Sequence, residues 1–521
     1  MIYTLPDSVL ASAQKFPDKV AFTDGKQTLT YSELLRRMNQ LANALLEAGL
    51  QKGDRVGVYY NRGLETGIAI YAIMRAGGIY VPLDTGAPPQ LTRYLLEDCG
   101  IQILISHPSQ RRKLKALLSE ATPLQTLIGW TGAEGLQCSS WEQLAEKNGS
   151  FQSPFPILEM DPAYIIYTSG STGNPKGMVH THYSGLSYAR LTADLYDIDE
   201  SDRIANHAPV FFDISLLGYF TGPLVGATTL IIPDAYIALP ASLSQLIEKE
   251  RLTIWYSVPL ALTQLLQRGV LEERDMSSLR WVLYAGEPFP PKYLRELMLQ
   301  WPNARYSNIY GPAETNQCTY HNIPDPPEGD DPIPIGQVWG NTEALIFDEE
   351  GQQVAEGEVG ELLIRSATLM EGYWQRPDLT QKAMYIRTNA AGFEERFYRT
   401  GDLVRIDEQG RMQFLGRKDH QIKTRGYRVE LDAVEAILVA HESVAEAVVF
   451  PVPKEDDTIA IGAAVTLKET DAADEQLLRQ YLQQQLPFYA VPESIRILES
   501  FPRTGSGKIN RPAIKADLIN V

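Results

Sequence analysis

A chain of 521 residues is too long for one ordinary domain, and its length indicates roughly two to four. Hydrophobic residues make up 44% and charged residues 21%, which is usual for a folded soluble protein. With 47 Lys and Arg against 65 Asp and Glu, the formal net charge is −18. So acidic a surface repels a nucleic-acid backbone, although a locally positive pocket could still hold a single nucleotide.

Cysteine usage and the apolar segments indicate a cytoplasmic protein with no membrane partner. Cys99, Cys138 and Cys318 are far apart and lack CxxC spacing, which argues against a disulfide framework or a zinc site. The first residues show neither a basic region nor an apolar run of signal-peptide length. The most apolar segment, residues 67–83, is broken by Arg75 and two glycines, so we expect it in a protein core.

Helical and strand-like patterns alternate along the first part of the chain. A helix pattern over residues 31–50 is followed by β-rich runs at 54–60, 101–107, 227–233, 253–259 and 280–286. This alternation predicts an α/β fold with parallel sheets and helices on both faces. From about Gly340 the chain turns to short strands, which indicates a β subdomain. The last hundred or so residues look like a compact α+β unit, so we expect domains at 1–418 and 419–521.

A glycine-rich loop, YTSGSTGNPKG (167–177), follows the strand-like AYIIY and is expected to precede a helix. Its small and hydroxylated residues let backbone N–H groups approach anionic oxygens, and Lys176 adds a positive charge. The sequence matches neither the P-loop spacing nor the dinucleotide fingerprint. The residues alone therefore indicate a phosphate loop of another type, or an ordinary surface loop.

This loop resembles the phosphate loop of the adenylate-forming (ANL) superfamily, which includes acyl-CoA ligases, luciferases and nonribosomal peptide synthetase adenylation domains. Further segments resemble the family's other motifs in the family's order: LTYSELL (29–35), MRAGGIYVPLD (74–84), YGPAET (310–315), GELLIRS (360–366), YRTGDL (398–403), GRKDHQIKTRGYRVEL (416–431), LPFYAVP (486–492) and RTGSGKINR (503–511). Together they span the chain. The resemblance implies the ANL fold, with a large N-terminal adenylation domain of βα-layered sheets plus a β subdomain and a small mobile α+β C-terminal domain.

The resemblance also implies ATP and Mg²⁺ as cofactors and a set of nucleotide-binding residues. Lys508 corresponds to the family's catalytic lysine, and Glu314 to the residue that binds the magnesium. Ala313 stands where the family usually has Thr, so one hydroxyl contact is missing. The ATP- and AMP-binding set is Thr168, Ser169, Gly170, Ser171, Thr172, Gly173, Lys176, Gly286, Glu287, Pro288, Asn308, Tyr310, Gly311, Asp402 and Arg417. Asp402 and Arg417 correspond to the ribose contacts and Tyr310 to the residue that stacks on adenine.

Asp419, in GRKD, resembles the hinge about which the small domain of this family rotates between two half-reactions. After rotation, the loop from Lys423 to Gly426 belongs to the newly exposed face. The chain ends shortly after Lys508, which leaves no room for a carrier segment, so the resemblance implies that the acceptor thiol belongs to a separate carrier protein.

Asp213, in FFDIS, distinguishes an amino-acid-activating enzyme from an acyl-CoA ligase. The family's Asp at this place pairs with the substrate α-ammonium; without the motif, a helix-capping Asp is the alternative. The substrate-binding residues carried over by resemblance are Asp213, Ile214, Leu217, Ser257, Leu283, Ala285, Ile309, Gln317, Cys318 and Lys508. Apart from Asp213 and Lys508 the wall has no charge, which disfavours acidic and basic substrates.

The mostly aliphatic lining resembles that of stand-alone prolyl-adenylating enzymes, which load proline onto a separate carrier protein. It departs at Ser257 and Gln317, where pyrrole-pathway members have tyrosine and an aliphatic residue. We expect L-proline, followed by a methylated proline or a small aliphatic amino acid. The alternatives are an acyl-CoA or fatty-acyl-AMP ligase, a D-alanyl carrier protein ligase and a non-catalytic protein that keeps the fold.

Overall fold

The computed structural model describes residues 1–60, 62–170, 174–419, 421–454, 458–468, 473–503, 509–511 and 513–515. The chain divides into two compact units. The first contains Met1–Thr85, Leu96–Tyr167 and Gly177–Lys418. The second contains Asp419–Val521 together with two short segments from earlier in the chain, Gly86–Leu95 and Thr168–Lys176.

A nine-stranded sheet carries several of the predicted site residues. Its central strands are parallel, and its two edges are antiparallel. Antiparallel neighbouring strands need only a short connection, whereas parallel ones need a crossover. The edge strands are therefore antiparallel where no helix lies between them in the sequence. In spatial order the strands are Gln337–Val338, Thr319–Ile323, Arg305–Tyr310, Trp281–Ala285, Ile254–Ser257, Arg203–Asn206, Thr228–Ile231, Val20–Thr23 and Thr28–Thr30.

A second, eight-stranded sheet leads into the glycine-rich loop. The strands Arg55–Tyr59, Ile79–Pro82 and Ile103–Ser106 are buried and parallel. Their near-continuous apolar sequence fits parallel strands that are covered on both faces. In spatial order the sheet consists of Gly372–Tyr373, Lys176–Thr181, Pro162–Thr168, Ile79–Pro82, Arg55–Tyr59, Ile103–Ser106, Thr126–Gly129 and Gln137–Ser140.

Smaller sheets account for the remaining strands. A five-stranded antiparallel sheet forms the β subdomain expected after Gly340, with the strands Thr342–Phe347, Gly360–Ser366, Met384–Thr388, Glu394–Ile406 and Met412–Arg417. The second unit has a hairpin and a three-stranded sheet, made of Gln421–Thr424 with Tyr427–Glu430, and of Val444–Pro453, Ile459–Leu467 and Ser494–Leu498.

The helices bury one face and begin at polar caps where the sequence provides them. The helix Tyr31–Glu47 buries Leu34, Met38, Leu41 and Leu45, which recur at helical spacing. The α-helices are Leu5–Lys15, Tyr31–Glu47, Leu64–Arg75, Pro89–Asp98, Arg111–Leu117, Trp141–Ala145, His182–Leu195, Gly222–Val225, Asp234–Ile237, Pro240–Lys249, Pro259–Arg268, Pro291–Gln300, Pro377–Ala383, Leu431–Ala440 and Glu475–Gln485. None of the helices in the described part of the chain is long and apolar enough to cross a membrane.

The expectation of a helix directly after the glycine-rich loop is wrong. A strand, Lys176–Thr181, follows the loop, and the helix begins only at His182. The segment lies next to the strand Pro162–Thr168 in the sheet, and four of its six residues are buried there. Thr181 then caps the helix by accepting a hydrogen bond from the Ser184 N–H at 3.1 Å. Tertiary pairing therefore decides the structure of this short segment, for which local sequence is a weak guide.

Candidate active site

The glycine-rich loop connects two neighbouring strands, one ending at Thr168 and the other starting at Lys176. Gly170 is required by close packing, because a Cβ atom there would lie 2.2 Å from the Asn174 carbonyl oxygen. Within the second unit, the Ser169 hydroxyl donates a hydrogen bond to the Arg428 carbonyl oxygen at 3.0 Å. The predicted phosphate-contacting residues Ser171, Thr172 and Gly173 lie outside the described residues.

Glu430 lies near the positive charges of the second unit. Burial raises the pKa of its carboxyl, and the nearby Arg428 and Lys176 charges oppose that shift. Asp419, the predicted hinge residue, is exposed and accepts a hydrogen bond from the Gln421 N–H at 3.3 Å. Lys508, the predicted catalytic lysine, lies outside the described residues.

Asp402 is the centre of a hydrogen-bonded group built by the β subdomain and the large sheet. It pairs in register with Arg417 on the neighbouring strand, and that guanidinium donates a hydrogen bond to its Oδ1 atom. The Tyr310 hydroxyl donates to Oδ2, and the Asp402 N–H donates to the Thr400 hydroxyl at 3.0 Å. Burial, followed by the Asp402 charge, raises the pKa of Tyr310 well above its usual value. Each carboxylate oxygen keeps a second lone pair, so Asp402 can still accept hydrogen bonds from a ligand.

The structure brings together the predicted residues Asp402, Arg417 and Tyr310. Tyr310 is buried and donates its hydroxyl to Asp402, so that contact orients its ring. Nearby on the large sheet, Asn308 donates its amide to the Pro334 carbonyl oxygen at 2.8 Å. Gly286, which follows the strand Trp281–Ala285, has a left-handed φ of 103°. After it come Glu287, which is half-buried, and Pro288, which is exposed.

Glu314 is fully buried on a tight loop that follows the strand Arg305–Tyr310. The Tyr373 hydroxyl donates a hydrogen bond to its Oε1 atom at 2.8 Å, and its carbonyl oxygen accepts from the Met370 N–H at 2.8 Å. Gly311 opens the loop, where a Cβ atom would lie 2.2 Å from the Asn316 carbonyl oxygen. The loop therefore holds the carboxylate in a defined place.

His180 supports this loop, although the sequence did not single it out. Its Nε2 atom lies 3.1 Å from the Ala313 carbonyl oxygen, and its ring stacks on Tyr164 at 4.9 Å between centroids. Burial lowers the pKa of His180 to about 4, so the ring is neutral near pH 7. Because a carbonyl oxygen only accepts, the Nε2 atom carries the proton and donates it to this bond. The sequence alone shows only that a histidine lies in the segment after the glycine-rich loop, and this does not predict its contact with Ala313.

Glu314 has the donor chemistry that a magnesium ion requires. Mg²⁺ is usually held by one or two carboxylates together with substrate phosphate oxygens. In the part of the chain that the structure describes, no group of three or more His, Cys, Asp or Glu residues could hold a metal ion by itself. An ion bound at Glu314 would therefore complete its ligand shell with water or substrate oxygens, which is compatible with a nucleotide-dependent site.

Five of the ten residues of the predicted amino-acid pocket fall into one apolar cluster. Adjacent strands of the nine-stranded sheet supply it, with Ala285 opposite Ile309 and Leu283 opposite Ser307. The cluster members among the predicted residues are Ile214, Leu217, Leu283, Ala285 and Ile309.

The other predicted pocket residues, Ser257, Cys318 and Gln317, are not members of this apolar cluster. The Ser257 hydroxyl accepts a hydrogen bond from the Trp255 indole at 2.8 Å and donates to the Val258 carbonyl oxygen at 3.1 Å. Cys318 packs with Tyr310 in a separate cluster, and its thiol donates to the Tyr310 carbonyl oxygen at 3.5 Å. Gln317 is 1% exposed. The Ser257 side chain is therefore satisfied by its own surroundings.

Asp213 begins a short 3₁₀ helix and lies among aromatic residues. Its Oδ1 atom accepts a hydrogen bond from the Ile214 N–H at 2.9 Å, and the residue is half-buried. Burial raises the pKa of Tyr188 and Tyr256, and the Asp213 charge raises both further. An acceptor carboxylate in such surroundings is suited to a cationic ligand, because a counter-charge offsets the cost of its desolvation.

An open groove of about 510 Å³ adjoins the Glu314 loop, and the sequence did not predict it. Tyr373, which donates to Glu314, is one of its lining residues, together with Trp374 and Met384. The predicted site residues are not among those that line it.

Two family models match the chain. The first, described as AMP-binding enzyme, covers residues 9–374. The chain belongs to the AMP-binding enzyme family. The second model, described as AMP-binding enzyme C-terminal domain, covers residues 433–508. The resemblance to the adenylate-forming superfamily is therefore confirmed.

Two bacterial relatives match this AMP-binding enzyme over nearly their whole length, and a third matches over part of its length. An L-proline--[L-prolyl-carrier protein] ligase of Pseudomonas fluorescens is 31% identical over 511 residues, covering 98% of each chain. A protein of the same name from Streptomyces coelicolor is 33% identical over 498 residues, covering 93% of this chain and 91% of its own. Tyrocidine synthase 1 of Brevibacillus parabrevis is 35% identical over 505 residues, which are 96% of this chain and 44% of that protein.

Solved structures of related enzymes share the fold. The adenylation domain AlmE of Vibrio cholerae, in complex with glycyl-adenosine-5'-phosphate, has a TM-score of 0.84 and 25% identity, and the match covers 100% of this chain and 98% of that one. Holo-PA1221, an NRPS protein containing adenylation and PCP domains, has a TM-score of 0.83 and 26% identity, covering 99% and 84%. The predicted α/β class and ANL fold are confirmed.

Proposed function

We propose that this AMP-binding enzyme is an ATP-dependent, AMP-forming amino acid ligase that loads a separate carrier protein. The observation that carries the proposal is the end-to-end match to a prolyl-carrier protein ligase, covering 98% of both chains. The described residues add a buried carboxylate at Glu314, a bonded Asp402–Arg417 pair and an apolar cluster beside Asp213.

The first half-reaction forms an aminoacyl-AMP. A substrate carboxylate oxygen bonds to the α-phosphorus of ATP, and the bond from that phosphorus to the bridging oxygen breaks as pyrophosphate leaves. Both reactants are anionic and the carboxylate is a weak nucleophile, so catalysis depends on charge neutralisation and positioning. Lys508, assigned from the sequence motif, supplies a cation between the reacting oxygens.

In the proposed reaction, the assigned site residues hold the two substrates. Asp402, fixed by Arg417 and Tyr310, accepts hydrogen bonds from the ribose hydroxyls. Asp213 pairs with the α-ammonium of the amino acid, whose side chain enters the apolar cluster. Glu314 would hold a magnesium ion, which when bound would neutralise phosphate charge. Residues of the glycine-rich loop, Thr168 to Lys176, contact the phosphates that leave as pyrophosphate.

The second half-reaction transfers the acyl group. A phosphopantetheine thiolate attacks the acyl carbon, and the bond from that carbon to the AMP oxygen breaks, leaving a thioester and AMP. We assign adenylation to residues 1–418 and the mobile part to residues 419–521, with Asp419 as the hinge. The three dispersed cysteines support a cytoplasmic location.

L-proline is the proposed amino acid. The two full-length relatives are named for it, and the aliphatic lining leaves no partner for a charged side chain. The test is ATP–pyrophosphate exchange with all common amino acids, pipecolate, D-alanine and a set of fatty acids, with free CoA as an alternative acceptor in a separate reaction. Exchange with L-proline, and no thioester with free CoA, supports the proposal. Exchange with fatty acids alone, or with none of these compounds, contradicts it.

A further inference from the structure

The first residue of the glycine-rich loop, Tyr167, is bound to a carboxylate from a distant part of the chain. Its hydroxyl donates a hydrogen bond to the Oδ2 atom of Asp98, which is 69 positions away in sequence. Asp98 is the final residue of the helix Pro89–Asp98. The contact exists only in the folded chain, and none of the sequence motifs indicates it.

Trp374 connects Asp98 to the last residue of the same loop, Gly177. The Trp374 backbone N–H donates to the Gly177 carbonyl oxygen at 2.7 Å, and its indole N–H donates to the Asp98 carbonyl oxygen at 3.0 Å. The Tyr167 ring lies against Gly177, where a Cβ atom would be 2.9 Å from the ring carbon Cζ. All four residues belong to the first unit. Asp98 therefore holds the start of the loop through its carboxylate and the end of the loop through Trp374.

Arg55 and Cys99 support this arrangement. The Arg55 Nε–H donates to the Cys99 carbonyl oxygen at 2.7 Å, and its guanidinium lies over the Trp374 ring, 5.1 Å from the centroid. The Cys99 Sγ atom lies 3.1 Å from the Tyr167 hydroxyl oxygen. The two residues thus contact both of the side chains that Asp98 connects.

The Tyr167 hydroxyl stays protonated and acts as the donor to Asp98. Burial raises the pKa of Tyr167 well above its usual value, and Cys99 and Asp98 raise it further. Burial raises the pKa of the Cys99 thiol to about 12, although the hydrogen bond to Tyr167 opposes this shift. Because an ionised carboxylate only accepts, Tyr167 gives its proton to the bond with Asp98, and the Cys99 S–H donates to the Tyr167 oxygen.

We propose that Asp98 is a positioning residue for the ATP phosphates, because it fixes Tyr167 and Gly177, the two ends of the glycine-rich loop. The inference rests on the proposed function, in which residues Thr168 to Lys176 contact the phosphates that leave as pyrophosphate. Asp98 is assigned no contact with a substrate and acts through Tyr167 and Trp374. Loss of its carboxylate therefore weakens binding of the β- and γ-phosphates and leaves binding of the amino acid unchanged.

The first test is Tyr167→Phe, which keeps the ring against Gly177 and removes the hydroxyl. ATP–pyrophosphate exchange is measured with the amino acid that gives the highest rate. We expect KM for ATP and KM for pyrophosphate to rise by about three- to tenfold, the range for one hydrogen bond, and KM for the amino acid to stay within about twofold.

Variants of Asp98 test whether the same bond is responsible. Asp98→Ala should raise KM for ATP and KM for pyrophosphate as Tyr167→Phe does, and Asp98→Asn, which keeps an acceptor oxygen, should restore most of the loss. The double variant Tyr167→Phe with Asp98→Ala should bind no more weakly than Asp98→Ala alone, because the two substitutions remove one shared bond.

Titration calorimetry gives a readout that needs no turnover. In Tyr167→Phe we expect the Kd of α,β-methylene-ATP, which carries all three phosphates, to rise together with KM for ATP. The Kd of AMP, which lacks the β- and γ-phosphates, should stay unchanged. A general structural loss would weaken the binding of both nucleotides alike.

Tyr306→Phe is the matched control, and a thermal melt of each variant checks folding. The Tyr306 hydroxyl is buried and donates to the Leu297 carbonyl oxygen at 3.2 Å, in an apolar cluster that does not include Tyr167. Removing it makes the same chemical change away from the loop, so KM for ATP and KM for pyrophosphate should not change.

Three results would overturn the inference and leave the proposed function standing. They are an unchanged KM for pyrophosphate and Kd of α,β-methylene-ATP in Tyr167→Phe, an equal rise in the Kd of AMP, and the same changes in Tyr306→Phe. The absence of exchange with every amino acid in the wild type would overturn the proposed function, and the calorimetric titrations would still decide the inference.

Discussion

Asp213 is the residue on which the proposed substrate class, an amino acid, rests. In Asp213→Asn the side chain keeps its size but loses its charge, so the substrate ammonium loses an ionic partner. We expect kcat/KM for proline-dependent exchange to fall by about 10- to 100-fold, the range for a hydrogen bond to a charged group. Asp194→Asn, an exposed position, is the control and should change nothing. An equal loss of kcat/KM in both variants, or no loss in Asp213→Asn, would contradict the proposed pairing of Asp213 with the substrate ammonium.

Tyr373 tests how Glu314 is held. In Tyr373→Phe the ring remains but the hydrogen bond to Oε1 is lost. We expect the Mg²⁺ concentration for half-maximal exchange to rise several-fold, and Glu314→Gln to raise it further, because the carboxylate is the proposed ligand. Chelation of Mg²⁺ should abolish exchange. An identical magnesium titration in the wild type, Tyr373→Phe and Glu314→Gln would contradict the assignment of Glu314 as a magnesium ligand.

For individual residues, the sequence motifs located some members of the site and could not locate others. The order of short motifs led to Asp402, Arg417 and Glu314 because their neighbours in sequence are distinctive. Tyr373 lies 59 residues from Glu314, and the contact exists only once the two segments pack.

Among the elements, the helix Tyr31–Glu47 depends on its N-terminal cap. The Thr30 hydroxyl accepts from the Glu33 N–H at 3.2 Å, and the Glu33 carboxylate accepts from the Thr30 N–H at 2.9 Å. We expect Thr30→Ala to lower the free energy of unfolding by about 1 kcal/mol through loss of this capping box. Urea unfolding measures it, with Lys26→Ala as a surface control. A midpoint unchanged in Thr30→Ala would show that packing alone holds the helix.

The elements also show where sequence patterns succeed. The strands expected at 54–60, 101–107 and 280–286 are present within a few residues, because each is a buried apolar run. The segment Lys176–Thr181 was misjudged because six residues carry too little periodicity to separate a strand from the start of a helix. Its position beside another strand of the sheet decides the outcome.

The whole molecule should lose stability in mild acid because of buried neutral histidines. Burial lowers the pKa of His182 to about 4 and that of His207 to about 3, below the value of about 6.5 in an unfolded chain. Below pH 6.5 the unfolded chain therefore binds more protons than the folded one, so stability falls as pH falls. Protonation would also end the bond that the His182 Nδ1 atom accepts from the Leu5 N–H at 3.3 Å.

Urea unfolding between pH 7.5 and 5 tests this prediction. We expect His182→Gln to show a shallower loss of stability with falling pH than the wild type, by about 2 kcal/mol at pH 5. His107→Gln, at a half-buried surface position, should keep the wild-type slope. Parallel slopes in all three proteins would mean that His182 is not neutralised by burial.

The last of the sequence boundaries between the two compact units lies between Lys418 and Asp419, and Asp419 is the proposed hinge. Proline fixes φ, so Asp419→Pro should restrict rotation there. We expect this variant to keep ATP–pyrophosphate exchange and to lose thioester transfer to a phosphopantetheinylated carrier protein. Lys508→Ala, in contrast, should lose most ATP–pyrophosphate exchange and keep the thermal melting temperature of the wild type. Loss of both activities in Asp419→Pro would point to misfolding instead.

ATP–pyrophosphate exchange driven by L-proline, with a fatty-acid panel run beside it, is the experiment on which the proposed function depends. We expect strong exchange with L-proline, dependent on Asp213, and background exchange with every fatty acid. Exchange confined to fatty acids, or L-proline-dependent exchange that Asp213→Asn leaves intact, would contradict the proposed function.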